Sequence, residues 1–314
     1  MNDKEKYRHY CKITKDLILF QQDWWMDAVC GKDNWDSIVY ENNGNIVGAW
    51  AYPIKRKYNL KLIAMPMLTL GMGPIITYFP GQKYASLLSH EQQVIEELHK
   101  QLPPFDLFDL YFLPIYKNQM AFHWKGFTQK TRYTYRINDL SNLDKVFEEF
   151  NSSIRSQIRK AEKETTIIES EDIELFYKIN SLTFKRQNKK VPYSLSYVKQ
   201  IDEACKNNNC RKILFAKDNE GNIHATVYIV WDNQSAYYLM GGADETYKSS
   251  GAYSLLLWSA IKISANLTKQ FNFCGSMLSN VERFFRSFGG EQIPYLHLKK
   301  VNNKALSILL TLKK

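Results

Sequence analysis

The segment from Tyr237 to Gly290 determines how the rest of the chain is interpreted, and it reads YYLMGGADETYKSSGAYSLLLWSAIKISANLTKQFNFCGSMLSNVERFFRSFGG. Its pattern predicts an apolar strand, a polar turn, a long apolar helix, a short strand, and an aromatic and basic segment. The turn, Lys248 to Gly251, lies where the strand passes into the helix. Backbone N–H groups at a helix start are unpaired and carry positive charge, so the turn could hold a phosphate or diphosphate. An ordinary strand–loop–helix connection is the alternative.

The composition is typical of a globular, basic protein. Of the 314 residues, 45% are hydrophobic and 14% aromatic, which is ample for a packed core. The 42 lysines and arginines outnumber the 32 acidic residues, and the formal net charge is +10. Such a charge favours phosphate-bearing partners, although a solvated basic surface is the simpler explanation.

The cysteines and histidines give no sign of a disulfide framework or of a metal site. Five scattered cysteines, an odd number, fit a reducing compartment; they are Cys11, Cys30, Cys205, Cys210 and Cys274. Neither they nor the six isolated histidines have the spacing of metal ligands, so we expect no metal.

The chain shows neither a signal peptide nor a membrane span. Its N-terminus, MNDKEKYRHYCK, is polar and charged. The longest uncharged run, Leu62 to Phe79, is interrupted by prolines and glycines, which favours buried strands. We therefore expect a cytoplasmic protein.

An internal repeat organises the chain into two halves. Each half has a hairpin turn of sequence Gly-Asn-Ile, at Gly44 and at Gly221, followed by a strand, a helix, a second strand and an aromatic segment. These aromatic segments are FHWKGF in the first half and FFRSFG in the second. The repeat predicts two copies of one α/β unit, which we divide at residues 1–138 and 139–314. In the first copy, Pro74 to Pro80 replaces the glycine-led helix start, so only the second copy is equipped for a phosphorylated ligand.

Three motifs of the second half carry a resemblance to a known family. The segment SSIRSQIRKAEKE (152–164), an amphipathic basic helix, resembles an R-x-x-I-R-K-A-x-K signature. TFKRQNKK (183–190) resembles a T-x-x-R segment, and FNFCGS through FFRSFG resembles the segment before the last strand. In this order they resemble the GNAT acyltransferase fold, duplicated as in the FemABX group. The resemblance implies an α/β (α+β) fold with two tandem GNAT-like domains, each a mixed, mostly antiparallel sheet flanked by helices, the first of them degenerate.

The resemblance also implies a donor site. GNAT relatives bind the diphosphate of acyl-CoA on a turn of the form Q/R-x-x-G-x-G/A. The matching residues are Lys248, Ser249, Ser250, Gly251, Ala252 and Tyr253, which keep the middle glycine but carry lysine first and tyrosine last. Acyl-CoA, with acetyl-CoA as the leading candidate, is the expected co-substrate.

In FemABX relatives the donor is an aminoacyl-tRNA and the acceptor is a nucleotide-linked cell-wall precursor. A lysine of an F-K-x-G-F-G segment is implicated near the reaction there, and the nearest equivalent in this chain is Arg286. Arg186, in the T-x-x-R segment, is expected to face the acceptor, because a guanidinium binds phosphate oxygens in a bidentate manner.

Catalysis would require a neutral nucleophile, a close donor carbonyl and stabilisation of the oxyanion. Asp244, after the central strand, and His224, at the second hairpin, are candidates for proton removal. Tyr238 could donate to the departing thiolate or alkoxide, although strand tyrosines usually serve in packing.

These features support three hypotheses. The first is an acyltransferase, most simply an N-acyltransferase, that moves an acyl group from acyl-CoA to an amine or hydroxyl of a sugar, nucleotide-sugar or small metabolite in cell-envelope or polysaccharide biosynthesis. The second is an aminoacyl-tRNA-dependent ligase of the FemABX kind, which would make tRNA a partner. The third is a non-catalytic binding module on the same fold.

Overall fold

The computed structural model describes residues 1–275 and 277–312, and the chain divides into two units. One unit comprises residues 1–132 with 294–314, and the other comprises residues 133–293. The predicted domains, 1–138 and 139–314, differ from these units mainly in the last segment. This segment belongs with the first unit because His297 to Val301 pair antiparallel with Leu107 to Tyr111.

The secondary structure alternates between helices and strands along the whole chain. The helices are α1 (Asp3–Ile13), α2 (Asp23–Cys30), α3 (Tyr84–Gln101), α4 (Met120–Trp124), α5 (Leu143–Glu148), α6 (Ser152–Glu164), α7 (Ile173–Arg186), α8 (Leu195–Asn207), α9 (Ala252–Ala265), α10 (Ser279–Arg286) and α11 (Lys304–Leu312). The strands are β1 (Trp35–Asn42), β2 (Asn45–Pro53), β3 (Lys55–Lys57), β4 (Leu60–Ala64), β5 (Ile75–Ile76), β6 (Leu107–Tyr111), β7 (Thr128–Ile137), β8 (Thr165–Glu169), β9 (Arg211–Asp218), β10 (Ile223–Trp231), β11 (Ser235–Ala243), β12 (Gln270–Asn272) and β13 (Glu291–Val301).

Local sequence explains several of these boundaries. Asn43 and Gly44 both have positive φ, which closes the predicted hairpin between β1 and β2. The side chains of Asp172 and Ser194 accept the backbone N–H groups of Leu175 and Tyr197, so they cap α7 and α8. The predicted amphipathic helix is α6, whose buried face carries Ile154, Ile158 and Ala161.

The first unit contains two sheets. Strands β1, β2 and β5 form an antiparallel sheet, and β3, β4, β6 and the end of β13 form a second sheet in which β4 and β6 are parallel. Trp50, on β2, has no exposed surface and makes edge-to-face contacts with Phe108, Phe112 and Phe122. This aromatic cluster is the centre of the first core.

The second unit is built on one sheet in the order β7-β12-β11-β10-β9-β8. Only the β11–β12 pair is parallel, and the other neighbours are antiparallel. Helix α9, apolar on nearly all sides, packs with α6 in the core of this unit, while α7 packs near β11. The observed architecture confirms the predicted mixed, mostly antiparallel sheets flanked by helices.

No helix within residues 1–275 and 277–312 combines the length and the apolar character needed to cross a bilayer. Likewise, the described residues contain no cluster of histidine, cysteine, aspartate and glutamate able to hold a metal ion.

Two tryptophans of the first unit test the position of its core. We expect Trp50→Ala to lower the free energy of unfolding by about 3–5 kcal/mol, since it would leave a cavity between three phenylalanine rings. Trp124, 63% exposed on α4, is the matched control, and its change to alanine should alter stability by no more than about 0.5 kcal/mol. Denaturant titration of both variants measures the difference, and equal losses would contradict the assignment.

Candidate active site

A cavity of 530 Å³ opens in the second unit beside β11. The pairing of β11 with β12 covers only three positions and ends at Tyr237 opposite Asn272, whereas β11 continues to Ala243. Beyond that point the cavity lies between β11 and the chain that follows β12, which contributes Phe273, Cys274 and Gly275. The divergence of two parallel strands therefore creates the cavity.

A β-bulge at Leu239 marks the middle of the cavity wall. Tyr228 of β10 pairs with Met240 and the next residue, Ile229, pairs with Tyr238, so Leu239 has no partner on β10. The extra residue shifts the alternation of side chains, so that Tyr238 and Gly241 lie on the same face of the strand. Both residues line the cavity.

The polar turn forms one end of the cavity. Gly251 is the N-cap of α9 and has a left-handed backbone with φ of 78°. A Cβ atom at this position would lie 2.4 Å from the carbonyl oxygen of Gln157 on α6, so only glycine allows this approach. Two further contacts tie the same elements together: Ser254 Oγ donates to Gln157 Oε1 at 2.7 Å, and Lys160 Nζ donates to the carbonyl of Ser249 at 2.9 Å.

The start of α9 leaves backbone donors available. Ser250 Oγ accepts the N–H of Ala252, while the N–H groups of Gly251 and Tyr253 have no acceptor among the residues that the structure describes. Unpaired amides of this kind, at the positive end of a helix dipole, favour an anion.

The side chains of the cavity wall add positive charge to that of the helix start. Of the described residues that line the cavity, none is acidic, whereas Arg186 and Lys248 are basic. Arg186 comes from the C-terminal end of α7, and Lys248 from the polar turn. Lys248 is 69% exposed and lies 3.5 Å from Glu245, a loose contact that leaves its ammonium group accessible.

Two tyrosine hydroxyl groups form a hydrogen bond inside the cavity. They belong to Tyr238 on β11 and Tyr253 on α9. Gly241 makes room for the pair, since a Cβ atom there would lie 2.6 Å from each hydroxyl oxygen. Burial raises the pKa of Tyr238 well above its ordinary value, and proximity to Tyr253 adds to the rise. Burial also raises the pKa of Tyr253 to about 12, although Arg186 acts in the opposite direction.

His224 lies against the polar turn, at a bulge of β10. Its ring stacks on Tyr247 with the centroids 4.0 Å apart, and its Nε2 lies 3.0 Å from Asp218 Oδ2. Hydrogen bonds from Asn222 and from His224 hold the pKa of Asp218 at about 2. Asp218 thereby fixes the orientation of an imidazole that lines the cavity.

Comparison with known proteins identifies the second half of the chain. Residues 149–276 match the family model described as "Acetyltransferase (GNAT) domain". This part of the chain therefore carries a domain of the GNAT kind, which supports an acyltransferase. The comparison with curated proteins gives no match.

Solved structures extend the likeness to nearly the whole chain. The crystal structure of FemX is similar, with a TM-score of 0.70, 14% identity and 98% of each chain covered. The C-terminal domain of a putative lysylphosphatidylglycerol synthetase from Agrobacterium fabrum has a TM-score of 0.56 and 13% identity, with 98% of this chain and 96% of that one covered. A tandem GNAT protein from the clavulanic acid biosynthesis pathway has a TM-score of 0.51 and 10% identity, with 85% and 82% covered. At these identities the likeness establishes the fold.

Most of the predicted site residues of this GNAT unit come together in the cavity. They are Arg186, Tyr238, Lys248, Ser250, Gly251, Ala252 and Tyr253. Ser249 does not line it, because its carbonyl faces Lys160 on α6. The roles that we assigned to these residues stay predictions.

Two predicted catalytic residues do not reach the cavity wall. The carboxylate of Asp244 accepts the N–H of Thr246 at 2.9 Å and caps a 3₁₀ turn, Glu245–Tyr247. Arg286 is 60% exposed and pairs with Glu282 at 3.0 Å on the surface of α10. Their predicted catalytic roles have no support from this geometry.

Sequence reasoning missed other parts of the wall. Gln157 and Thr183 line the cavity within the two segments that carry the family resemblance, so those motifs were a usable signal. Cys274 also lines it, and burial raises the pKa of its thiol, which keeps it protonated. Its position depends on a positive φ of 53° after β12, for which the sequence offered no signal.

The close approach of the two tyrosine hydroxyls to Gly241 can be tested with a double-mutant cycle. Gly241→Ala should lower the free energy of unfolding by about 1–3 kcal/mol, because the new methyl group collides with both tyrosine hydroxyls. In the Tyr238→Phe/Tyr253→Phe background the same change should cost measurably less. Thermal and denaturant unfolding of the four proteins measure this coupling. An equal cost in both backgrounds would mean that the hydroxyl pair does not occupy this space.

Proposed function

We propose that the protein transfers an acyl group from acyl-CoA to an amine or hydroxyl group of a sugar, a nucleotide-sugar or a small metabolite. One observation carries the proposal, and it concerns the described residues: they line the cavity without an acidic side chain, and the cavity begins at helix-start amides that have no acceptor among them and continues along the diverging strands β11 and β12. An extended ligand with phosphates at one end and a reactive group at the other matches this arrangement.

The donor would lie with its diphosphate against the amides of Gly251 and Tyr253 and beside Lys248. Its pantetheine arm would follow the unpaired edge of β11, whose backbone groups can bond to amides of the arm. The thioester would then lie near the bulge at Leu239. Acetyl-CoA, the usual donor of GNAT domains, is the first donor to test.

The acceptor would enter near the end of α7. Arg186, Thr183 and Gln187 line the cavity there, and exposed Lys189 and Lys190 follow in the chain. This basic rim suits an acceptor that carries a phosphate or carboxylate, in keeping with a role in cell-envelope or polysaccharide biosynthesis.

The tyrosine pair would act on the leaving group. Because the pKa of Tyr238 is raised, its hydroxyl keeps its proton at neutral pH and can donate a hydrogen bond. A departing thiolate, whose conjugate acid has a pKa of about 8.5, is too weak a base to take that proton fully. Tyr238 would therefore stabilise the thiolate by hydrogen bonding, while Tyr253 holds its ring in place.

Charge reversal at the turn tests the donor site. We expect Lys248→Glu to weaken acetyl-CoA binding roughly tenfold or more, since a hydrogen bond to a charged phosphate contributes about 1.5–3 kcal/mol. Lys262→Glu, an exposed lysine in the last turn of α9, is the matched control and should bind as the parent does. Isothermal titration calorimetry measures both affinities. No heat from the parent with acetyl-CoA, or equal affinities of the two variants, would refute the donor site.

A second candidate is an aminoacyl-tRNA-dependent ligase. The exposed face of α6 carries Arg159 and Lys163, which have no partner among the described residues, and the fold resembles that of FemX over 98% of each chain. The position of Tyr238 also suits this donor, since an alkoxide leaving group is basic enough to take a phenolic proton. Binding of tRNA that falls steeply with salt, together with no binding of acetyl-CoA, would favour this candidate.

Loss of the Tyr238 hydroxyl separates the two donors. With a CoA thioester, Tyr238→Phe should lower kcat roughly tenfold to a hundredfold, the value of a hydrogen bond to a developing charge. With an ester donor the loss should reach about 10²–10⁴, because full proton transfer is then required. Tyr237→Phe is the control, since that hydroxyl bonds to Asp232 at 2.9 Å instead. An unchanged kcat in Tyr238→Phe would exclude Tyr238 from the reaction.

A further inference from the structure

The last helix of the first unit, α11, exposes an apolar face. Its sequence is KALSILLTL, and Leu306 and Leu310 are only partly buried. The opposite face exposes Ile308 (64%), Leu309 (50%) and Leu312 (82%). Together with exposed Ala305 these side chains stand at positions i, i+3, i+4 and i+7, which is one continuous stripe of a helix. A stripe of this kind is unfavourable in water and points to a partner that buries it.

A basic hairpin lies in the same unit. Strands β3 and β4 pair antiparallel and carry Lys55, Arg56, Lys57 and Lys61. All residues of β3 are exposed. At the tip, Tyr58 is 90% exposed and has a positive φ of 53°, with the Lys57 ammonium 5.9 Å from the centre of its ring. The hairpin thus presents an exposed aromatic ring among cationic groups.

Asp106 joins the hairpin to the helix. Its carboxylate accepts the backbone N–H of Lys61 at 2.7 Å and the side-chain amide of Asn303 at 3.0 Å, and its carbonyl accepts the N–H of Asn302 at 2.9 Å. Lys61 is the second residue of β4, and Asn302 and Asn303 immediately precede α11. One residue therefore holds the two features side by side, and we name them together the helix–hairpin surface (residues 55–61 and 304–312).

The charge around this surface is positive. The sequence has no acidic residue from Asn42 to His90, and none after Glu291. Asp106 is the acid between the two features, and its hydrogen bonds lower the pKa of its carboxyl group. Lys304, exposed at the start of α11, adds to the four basic residues of the hairpin. Lys313 and Lys314 follow in the sequence, outside the described residues.

We propose that the helix–hairpin surface docks the protein on an anionic phospholipid bilayer. The apolar stripe would enter the boundary between headgroups and acyl chains, Tyr58 would lie at headgroup level, and the lysines would contact anionic headgroups. This is peripheral binding, independent of the donor proposed for the second unit.

Two other occupants fit less well. A nucleic acid would neutralise the lysines but would leave Ile308, Leu309 and Leu312 without an apolar partner. A second copy of the chain, related by twofold symmetry, would bring two basic hairpins towards each other, which like-charge repulsion disfavours.

Vesicle flotation with the full chain tests the proposal. We expect the parent to float with vesicles that contain phosphatidylglycerol. With vesicles of phosphatidylcholine alone it should remain in the bottom fraction of the gradient. The bound fraction should fall as salt is raised. Ile308→Glu/Leu309→Glu should weaken binding by about tenfold or more, because it places negative charge in the apolar stripe. Lys55→Glu/Lys57→Glu should weaken binding by about tenfold or more as well, because each basic residue near an anionic surface contributes on the order of fivefold.

A matched control carries the same kinds of change elsewhere in the first unit. Lys12→Glu/Ile13→Glu alters an exposed lysine and a 62% exposed isoleucine at the end of α1, and it should bind vesicles as the parent does. All variants change exposed side chains, and circular dichroism verifies that they are folded. The proposal is overturned if the parent does not float with anionic vesicles, if the control loses as much binding as the two variants, or if both variants still bind. Loss of RNA binding in the same variants without vesicle binding would assign the surface to nucleic acid instead.

Discussion

The close approach of α6 to the start of α9 is the constraint on which the candidate site depends. Gly251 lies against the carbonyl of Gln157, at a distance that no side chain allows. The buried face of α6, with Ile154, Ile158 and Ala161, holds that helix in the core, so the position of Gln157 is fixed by packing. Gly251 and Tyr253, whose N–H groups have no acceptor among the described residues, line the cavity where it begins. The segment that resembles the family signature thus positions the turn, although Gln157 is its one described residue that lines the cavity.

Strand β11, which precedes this turn, has two glycines that leave space on both of its faces. Gly242 faces α7, where a Cβ atom would lie 2.5 Å from the Cα of Asn180, and Gly241 faces the two tyrosine hydroxyls. The Asn180 side chain donates to the carbonyl of Gly241 at 2.7 Å, which anchors α7 to β11 at the same level. As a result, Arg186 at the end of α7 reaches the same cavity as Tyr253 from α9. Two adjacent glycines allow groups from opposite sides of a sheet to meet.

Sequence reasoning predicted those features that depend on local pattern. The Gly-Asn-Ile hairpins, the amphipathic α6 and the glycine at the start of α9 follow from turn chemistry and helical periodicity. The fold class was confirmed, and the assignment as an acyltransferase, which came from the family resemblance, is supported by the match at residues 149–276. The roles of Asp244 and Arg286 depended on where side chains point after a turn and on a short helix, which no periodicity specifies. Asp244 is next to the turn in sequence, yet its carboxylate caps Thr246.

The sequence did not predict features that arise from irregular backbone. The bulge at Leu239 and the positive φ of Cys274 depend on how β11 and β12 separate, which is a property of the whole sheet. Tyr238 of β11 lies next to Tyr253 of α9, and burial raises the pKa of both hydroxyls. An active site that moves charge onto a leaving group needs a donor that stays protonated at neutral pH, and a strongly basic leaving group makes the fullest use of such a donor. The burial of the Tyr238–Tyr253 pair beside the diverging strands therefore provides a donor of this kind at the candidate site.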